Sequence, residues 1–145
     1  MSLRIVVDSS IIVKWLNTTN EKDLEGANKL LADALEGKIE LLAPELAKYE
    51  VGNVLLVKKK LSKKDVKIPL NTLFAFPIQF IPESEESASE TYNLAFDLEL
   101  TYYDASFISL AKQYDAILVT ENIKHQGRSK DIKVISLQDY PPSNS

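Results

Sequence analysis

The segment Leu3-Arg-Ile-Val-Val-Asp-Ser-Ser-Ile-Ile-Val-Lys-Trp-Leu16 decides the fold. Leu3 to Val7 is a short apolar run rich in β-branched residues, the pattern of a strand buried on both faces. Asp8, Ser9 and Ser10 follow it, and any of them can cap a helix carried by Ile11, Ile12, Trp15 and Leu16. A doubly buried strand that passes through a short turn into a helix is the opening unit of a parallel sheet.

The alternation continues along the chain. A helix is expected from about Lys22 to Glu36, stopped at Gly37, and then a strand from Ile39 to Ala43. Pro44 suits the first turn of a long helix reaching about Lys60. After a break at 61–64, a shorter helix runs to about Phe74, and Phe76 to Ile81 is a strand candidate weakened by Pro77. A helix from Ser84 to about Leu98 carries Ser87 and Glu90 at the spacing of a capping box. A further helix covers Asp104 to Tyr114, and Ala116 to Thr120 and Lys133 to Ser136 read as strands. The expected fold is α/β, with a mainly parallel sheet covered on both faces by helices. Residues 1–140 form one domain, and 141–145 a flexible tail.

The composition narrows the chemistry. The chain has 145 residues, of which 45 % are hydrophobic, enough for one core but not comfortably for two. It has no cysteine and one histidine, so thiol nucleophiles, disulfides and Cys/His zinc sites are excluded. A formal charge of −4 argues against a uniformly basic nucleic-acid-coating surface. No apolar run is long enough for a bilayer, and Asp8 interrupts the only N-terminal one, so neither a membrane span nor a signal peptide is expected and the location is taken as cytoplasmic.

Chemistry must therefore run on carboxylates, hydroxyls, amides or lysines. Asp8 directly follows the first strand, at the carboxyl end where α/β proteins build their sites. Glu50 falls within a helical stripe of Leu46, Val54, Val57 and Leu61, with Asn53 on its edge, and a charge on a core-facing stripe is costly without a partner. Asp104 opens its helix on the face of Phe107, Ile108 and Ala111, and Glu121 and Asn122 follow a strand. Each has a plain structural explanation: Asp8 as a cap, Glu50 as an acid tipping into solvent at the end of the stripe, Asp104 as a dipole partner, and Glu121 and Asn122 as turn formers. Together, a parallel sheet could bring them to one rim. Crowded carboxylates repel unless a cation neutralises them, and hard oxygen ligands suit Mg²⁺ or Mn²⁺. The implied reaction is metal-assisted attack of water on a phosphodiester.

Four pieces carry a resemblance: Ile5-Val-Val-Asp-Ser-Ser-Ile-Ile-Val-Lys-Trp15, Ala43-Pro-Glu-Leu-Ala-Lys-Tyr-Glu-Val-Gly-Asn-Val-Leu55, Leu100-Thr-Tyr-Tyr-Asp-Ala-Ser106 and Ile117-Leu-Val-Thr-Glu-Asn122. In this order and spacing the chain resembles the PIN-domain nucleases, and within them the VapC-type toxins of prokaryotic toxin–antitoxin pairs. The resemblance implies a three-layer α/β/α sandwich and Mg²⁺- or Mn²⁺-dependent endoribonuclease activity. It places Asp8, Glu50 and Asp104 at the metal-holding acidic positions. Ser10, Asn53 and Thr120 stand at the supporting polar positions. Where the family often has aspartate, this chain has Asn122 with Glu121 beside it, so the resemblance implies a catalytic role for Asn122, which could orient a water, and offers Glu121 as the fourth metal ligand. A homodimer and an antitoxin partner are also implied.

Two basic stretches, Lys58, Lys59, Lys60, Lys63, Lys64 and Lys67, and then Lys124, His125, Arg128, Lys130 and Lys133, are candidates for guiding an RNA backbone, Lys58, Lys59, Lys60, Lys124 and Arg128 first among them. The plain alternative is a solvated helix face with loop charges. Two other functions remain open from the residues: a PIN-like RNA-binding module without activity, and a Mg-dependent phosphoryl-transfer protein using Asp8. For the latter, Ser10 stands where a second aspartate would be wanted.

Overall fold

A computed structural model describes residues 2–142; Met1 and residues 143–145, which include most of the expected tail, lie outside them. The chain forms β1 (Leu3–Val7), α1 (Ser9–Leu16), α2 (Leu24–Leu35), β2 (Ile39–Pro44), α3 (Leu46–Val57), α4 (Lys67–Ala75) and β3 (Ile78–Ile81). It continues through α5 (Glu85–Leu98), α6 (Tyr102–Gln113), β4 (Ile117–Val119), α7 (Ile123–Gln126), β5 (Val134–Ile135) and a 3₁₀ turn at Leu137–Asp139.

The five strands make one all-parallel sheet in the order β3-β2-β1-β4-β5. β1 is central and its carboxyl-terminal part is enclosed: Ile5, Val6 and Val7 are buried while Leu3 and Arg4 are exposed, with Ile5 opposite Leu41 on one side and Ile117 on the other. The chain steps from β1 to β2 to β3 in one direction and then returns across the sheet to β4 and β5. Right-handed crossovers in opposite directions place their helices on opposite faces. The packing agrees: α1 contacts α2, α3 and α4, whereas α5 lies on α6, and α6 on α7. The architecture is the expected three-layer α/β/α sandwich.

This order puts a topological switch point between the carboxyl ends of β1 and β4, where such sheets leave a crevice for ligands. The Asp8 amide donates to the Val119 carbonyl at 3.1 Å, so the β1–β4 ladder runs up to the residue that leaves the sheet. α6 crosses beneath this point against β1, β2 and β4, with every residue from Ala105 to Ala111 buried.

Four local expectations need correction. Pro44 ends β2 instead of opening a helix; a parallel strand's last residue can lack an N–H where no ladder bond requires it. The capping box of α5 is Ser84 with Ser87, not Ser87 with Glu90: Ser84 Oγ accepts from the Ser87 amide at 3.1 Å and Ser87 Oγ accepts from the Ser84 amide at 2.9 Å. α6 begins at Tyr102, because the Thr101 hydroxyl accepts from the Asp104 amide at 3.0 Å and caps it there. The buried stripe of α3 is Ala47, Val51 and Leu55, and Val57 is exposed, so Glu50 borders the core-facing stripe and is not within it.

Candidate active site

Asp8 is the N-cap of α1, and its carboxylate accepts three hydrogen bonds. Oδ1 takes the Ser9 amide at 2.8 Å, and Oδ2 takes the Ser10 hydroxyl at 3.1 Å and the Thr120 hydroxyl at 2.9 Å. Thr120, the fully buried residue following β4, in turn accepts the Asn122 amide at 2.9 Å. Burial pushes the Asp8 carboxyl above its ordinary range despite the opposing hydrogen bonds from Thr120, Ser10 and Ser9, and the nearby Asp104 charge pushes the same way.

Glu50 reaches the same rim from α3. Its Oε1 accepts the Ser9 hydroxyl at 2.7 Å, so one serine ties Asp8 and Glu50 together, the first through its amide and the second through its hydroxyl. Burial raises the Glu50 carboxyl too; the Ser9 hydroxyl opposes this, while the charges of Asp8 and Asp104 add to it. Asp104, in the first turn of α6, faces the Asn122 side-chain amide at 3.5 Å, and the Asn122 carbonyl oxygen lies 2.8 Å from His125 Nδ1. Gln126 Nε2 donates to the Asp104 backbone carbonyl at 3.2 Å and fastens α7 to α6.

The structure thus gathers Asp8, Glu50, Asp104, Ser10, Thr120 and Asn122 at one rim. Glu121 is engaged elsewhere: its carboxylate pairs at 2.5 Å with Lys14, whose side chain is 0 % exposed. Lys14 also pairs with Glu21 at 3.1 Å and donates to the Lys22 carbonyl at 2.6 Å, and Glu21 pairs with Lys59 at 2.6 Å. Asn53 is exposed on α3. A cavity of about 300 Å³ opens beside Ser10, bordered by Val54, Glu21, Lys58, Lys59 and Glu121. Lys58, Lys60 and Lys124 are exposed, whereas Lys59 is tied to Glu21 and the Thr19 carbonyl. Arg128 donates to the carbonyls of Leu98 and Glu99 at 3.1 and 3.0 Å, fastening the end of α5.

Two residues escaped the sequence reading, one of them without a local signal. Ser9 is one of three polar residues after a strand, and nothing in the sequence marks it as the one that meets Glu50. Lys14 does leave a signal: it is a lone lysine inside the apolar run Ile11-Ile-Val-Lys-Trp-Leu16, a position that requires burial and hence an acidic partner.

The carboxylates and hydroxyls at the rim offer oxygen ligands, the set preferred by Mg²⁺ and Mn²⁺. Three carboxylates stand within mutual electrostatic reach, and the buried Lys14 beside them is already paired with Glu21 and Glu121. The residues therefore fit a hard divalent ion by charge and donor type. Among the described residues, no three His, Cys, Asp or Glu side chains stand close enough together to hold a metal ion as they are, so binding one requires the acids to draw in around it.

An all-parallel sheet with carboxylates converging at its switch point defines a site-bearing α/β class, and the match to a known domain narrows it to a family. The PIN domain matches residues 5–128, and the chain belongs to that family. No curated protein matches the chain. Among solved structures it is similar to VapBC2 from Rickettsia felis, bound to a DNA fragment from its promoter, with 19 % identity over 92 % of this chain and 98 % of that chain and a TM-score of 0.70. It is similar to a toxin–antitoxin complex from Klebsiella pneumoniae, with 19 % identity over 92 % and 97 % and a TM-score of 0.63. It is also similar to VapC20 of Mycobacterium tuberculosis, a toxin cleaving the sarcin-ricin loop, with 12 % identity over 79 % and 86 % and a TM-score of 0.61.

Proposed function

We propose that this chain is a Mg²⁺- or Mn²⁺-dependent endoribonuclease and the toxin of a toxin–antitoxin pair. The observation that carries the reading is the Asp8 carboxylate, enclosed at the switch point, held by three donors and destabilised as an anion by burial and by Asp104. An anion so placed is worth keeping where a cation joins it. Asp8, Glu50 and Asp104 would hold that ion, with Glu121 available to it only on leaving Lys14. When bound, a divalent cation supplies Lewis-acid polarisation of a phosphoryl oxygen and of water.

The chain's own residues do the rest. Ser10 and Thr120 fix Asp8, Ser9 fixes Glu50, and Asn122 lies against Asp104, so the acids are set before substrate arrives. Lys58, on the wall of the adjoining cavity, is placed to meet the RNA backbone, with Lys60 and Lys124 as further contacts and Lys59 and Arg128 serving first as structural ties. An antitoxin partner is part of this reading, supported by the toxin–antitoxin complexes among the similar structures, and a homodimer is carried over from the family resemblance alone.

Cleavage of end-labelled RNA with Mg²⁺, with Mn²⁺ and with EDTA tests the proposal. Cleavage is expected only with the metals, and Asp8→Asn or Asp104→Asn should lower it by at least about 100-fold. Cleavage that persists in EDTA, or in both variants, would overturn the mechanism. RNA binding without cleavage of any RNA tried would instead identify a non-catalytic module.

A further inference from the structure

The single histidine stands in a chain of contacts that fixes its chemistry. A carboxylate only accepts hydrogen bonds, so the Asn122 group facing Asp104 Oδ2 must be its NH₂. That leaves the Asn122 carbonyl oxygen toward His125, 2.8 Å from Nδ1. A carbonyl oxygen also only accepts, so Nδ1 must carry a proton. The amide orientation and the imidazole tautomer, normally independent assignments, are here forced by one another and by Asp104. Both residues belong to the same short helix: Asn122 is the N-cap of α7 and His125 lies within it, with the His125 backbone amide donating to the Asn122 backbone carbonyl at 3.3 Å.

We propose that His125 is a positioning residue: locked with its proton on Nδ1, it holds the Asn122 carboxamide so that the NH₂ is presented to Asp104 and sets that carboxylate for ion binding. The inference rests on the metal-site reading for its second half only. The fourth polar position of the site then acts as a hydrogen-bonded couple, with Asn122 supporting Asp104 and His125 supporting Asn122. Outer partners of this kind orient the acids that meet the ion, and their loss typically costs about 10–100-fold in metal affinity or activity.

Because there is one histidine, its ¹⁵N resonances are unambiguous. Two-bond ¹H–¹⁵N spectra at pH about 9, above the ordinary range of imidazole titration, read the tautomer directly and need no activity. The wild-type chain is expected to show a single form protonated on Nδ1, and Asn122→Ala to release it to a mixture. A wild-type imidazole protonated on Nε2, or a mixture, overturns the proposal. Mn²⁺ binding followed by electron paramagnetic resonance tests the second half. His125→Ala and Asn122→Ala should each weaken Mn²⁺ by about 10-fold or more, and the double variant by little beyond either, as two links of one chain. Mn²⁺ binding by the wild type that neither variant changes refutes the positioning role. A wild type that binds no Mn²⁺ refutes the metal-site reading and with it the second half, while the tautomer measurement still decides the first.

Discussion

Replacing Lys14 by methionine tests the loop network that stands beside the acids. Lys14 is fully buried and makes three contacts, to Glu21, to Glu121 and to the Lys22 carbonyl. Removing one member of a buried ion pair costs about 3–5 kcal/mol when its partner is left buried and unpaired. Here the partners have alternatives. Glu21 keeps Lys59, and the Glu121 side chain, 32 % exposed, can turn to water. What remains is an unpaired Lys22 carbonyl, at about 1–3 kcal/mol, and a weaker hold on Glu21. Methionine retains most of the aliphatic stem, so the expected loss is about 2–3 kcal/mol, which lowers Tm by about 5–10 °C for a chain of this size. Equilibrium urea unfolding measures it. Burial alone would push the Glu21 carboxyl up, but Lys59 and Lys14 outweigh it and hold the group below its ordinary range. Stability from Glu21 is therefore present above pH about 4 and lost as pH falls through the lowered folded value, so Lys14→Met should unfold less steeply in acid than wild type. A loss below about 1 kcal/mol at pH 7, or acid limbs that run parallel, would refute the idea that these charges act as one desolvated network.

Asp8 should show the opposite sign. Burial, and then Asp104, raise its carboxyl above the ordinary range, so it favours the folded state when protonated and opposes it as pH rises through the folded value. Asp8→Asn, which should lose cleavage in Mg²⁺ or Mn²⁺, is expected in EDTA at pH 7 to be more stable than wild type by on the order of 1 kcal/mol, with the gain shrinking towards pH 4; thermal melts showing destabilisation at pH 7 would contradict it. Tyr140→Phe removes the 2.6 Å hydrogen bond that its hydroxyl donates to the buried Asp33. That bond, with Lys29, holds the Asp33 carboxyl below its ordinary range, while the Tyr140 hydroxyl is pushed above its own by burial and by Asp33. A cost of about 1–3 kcal/mol at pH 7 is expected, smaller below pH about 4 where the Asp33 contribution is lost, and smaller again above pH about 10; a cost independent of pH would argue against the pairing.

The sheet was readable because its signals are local. Runs such as Ile5-Val-Val7 and Leu41-Leu-Ala43 are apolar without alternation, which only a strand covered on both sides tolerates, and parallel strands need the helices that the intervening residues supply. α3 shows where this fails. Leu46, Val54, Leu56 and Val57 are apolar, yet Leu56 and Val57 are exposed and Ala47, Val51 and Leu55 form the inward stripe. With apolar residues nearly all around the helix, periodicity names two adjacent stripes and cannot choose between them. The short α7, at four residues, lies below the length at which a periodic signal exists at all. The site divides the same way. That Asp8 lies at a strand's carboxyl end is visible from its neighbours. That Thr120 donates to it across 112 positions is a property of the β1–β4 pairing and has no local trace. Glu121 and Asn122 make the contrast sharpest. They are consecutive residues in the same turn, indistinguishable by position, and Lys14 separates them by charge. The anion is drawn to the buried ammonium behind α1, and the neutral amide is left to face Asp104. Which of the two serves the acids was therefore decided by a lysine in the first helix, far from both in the chain.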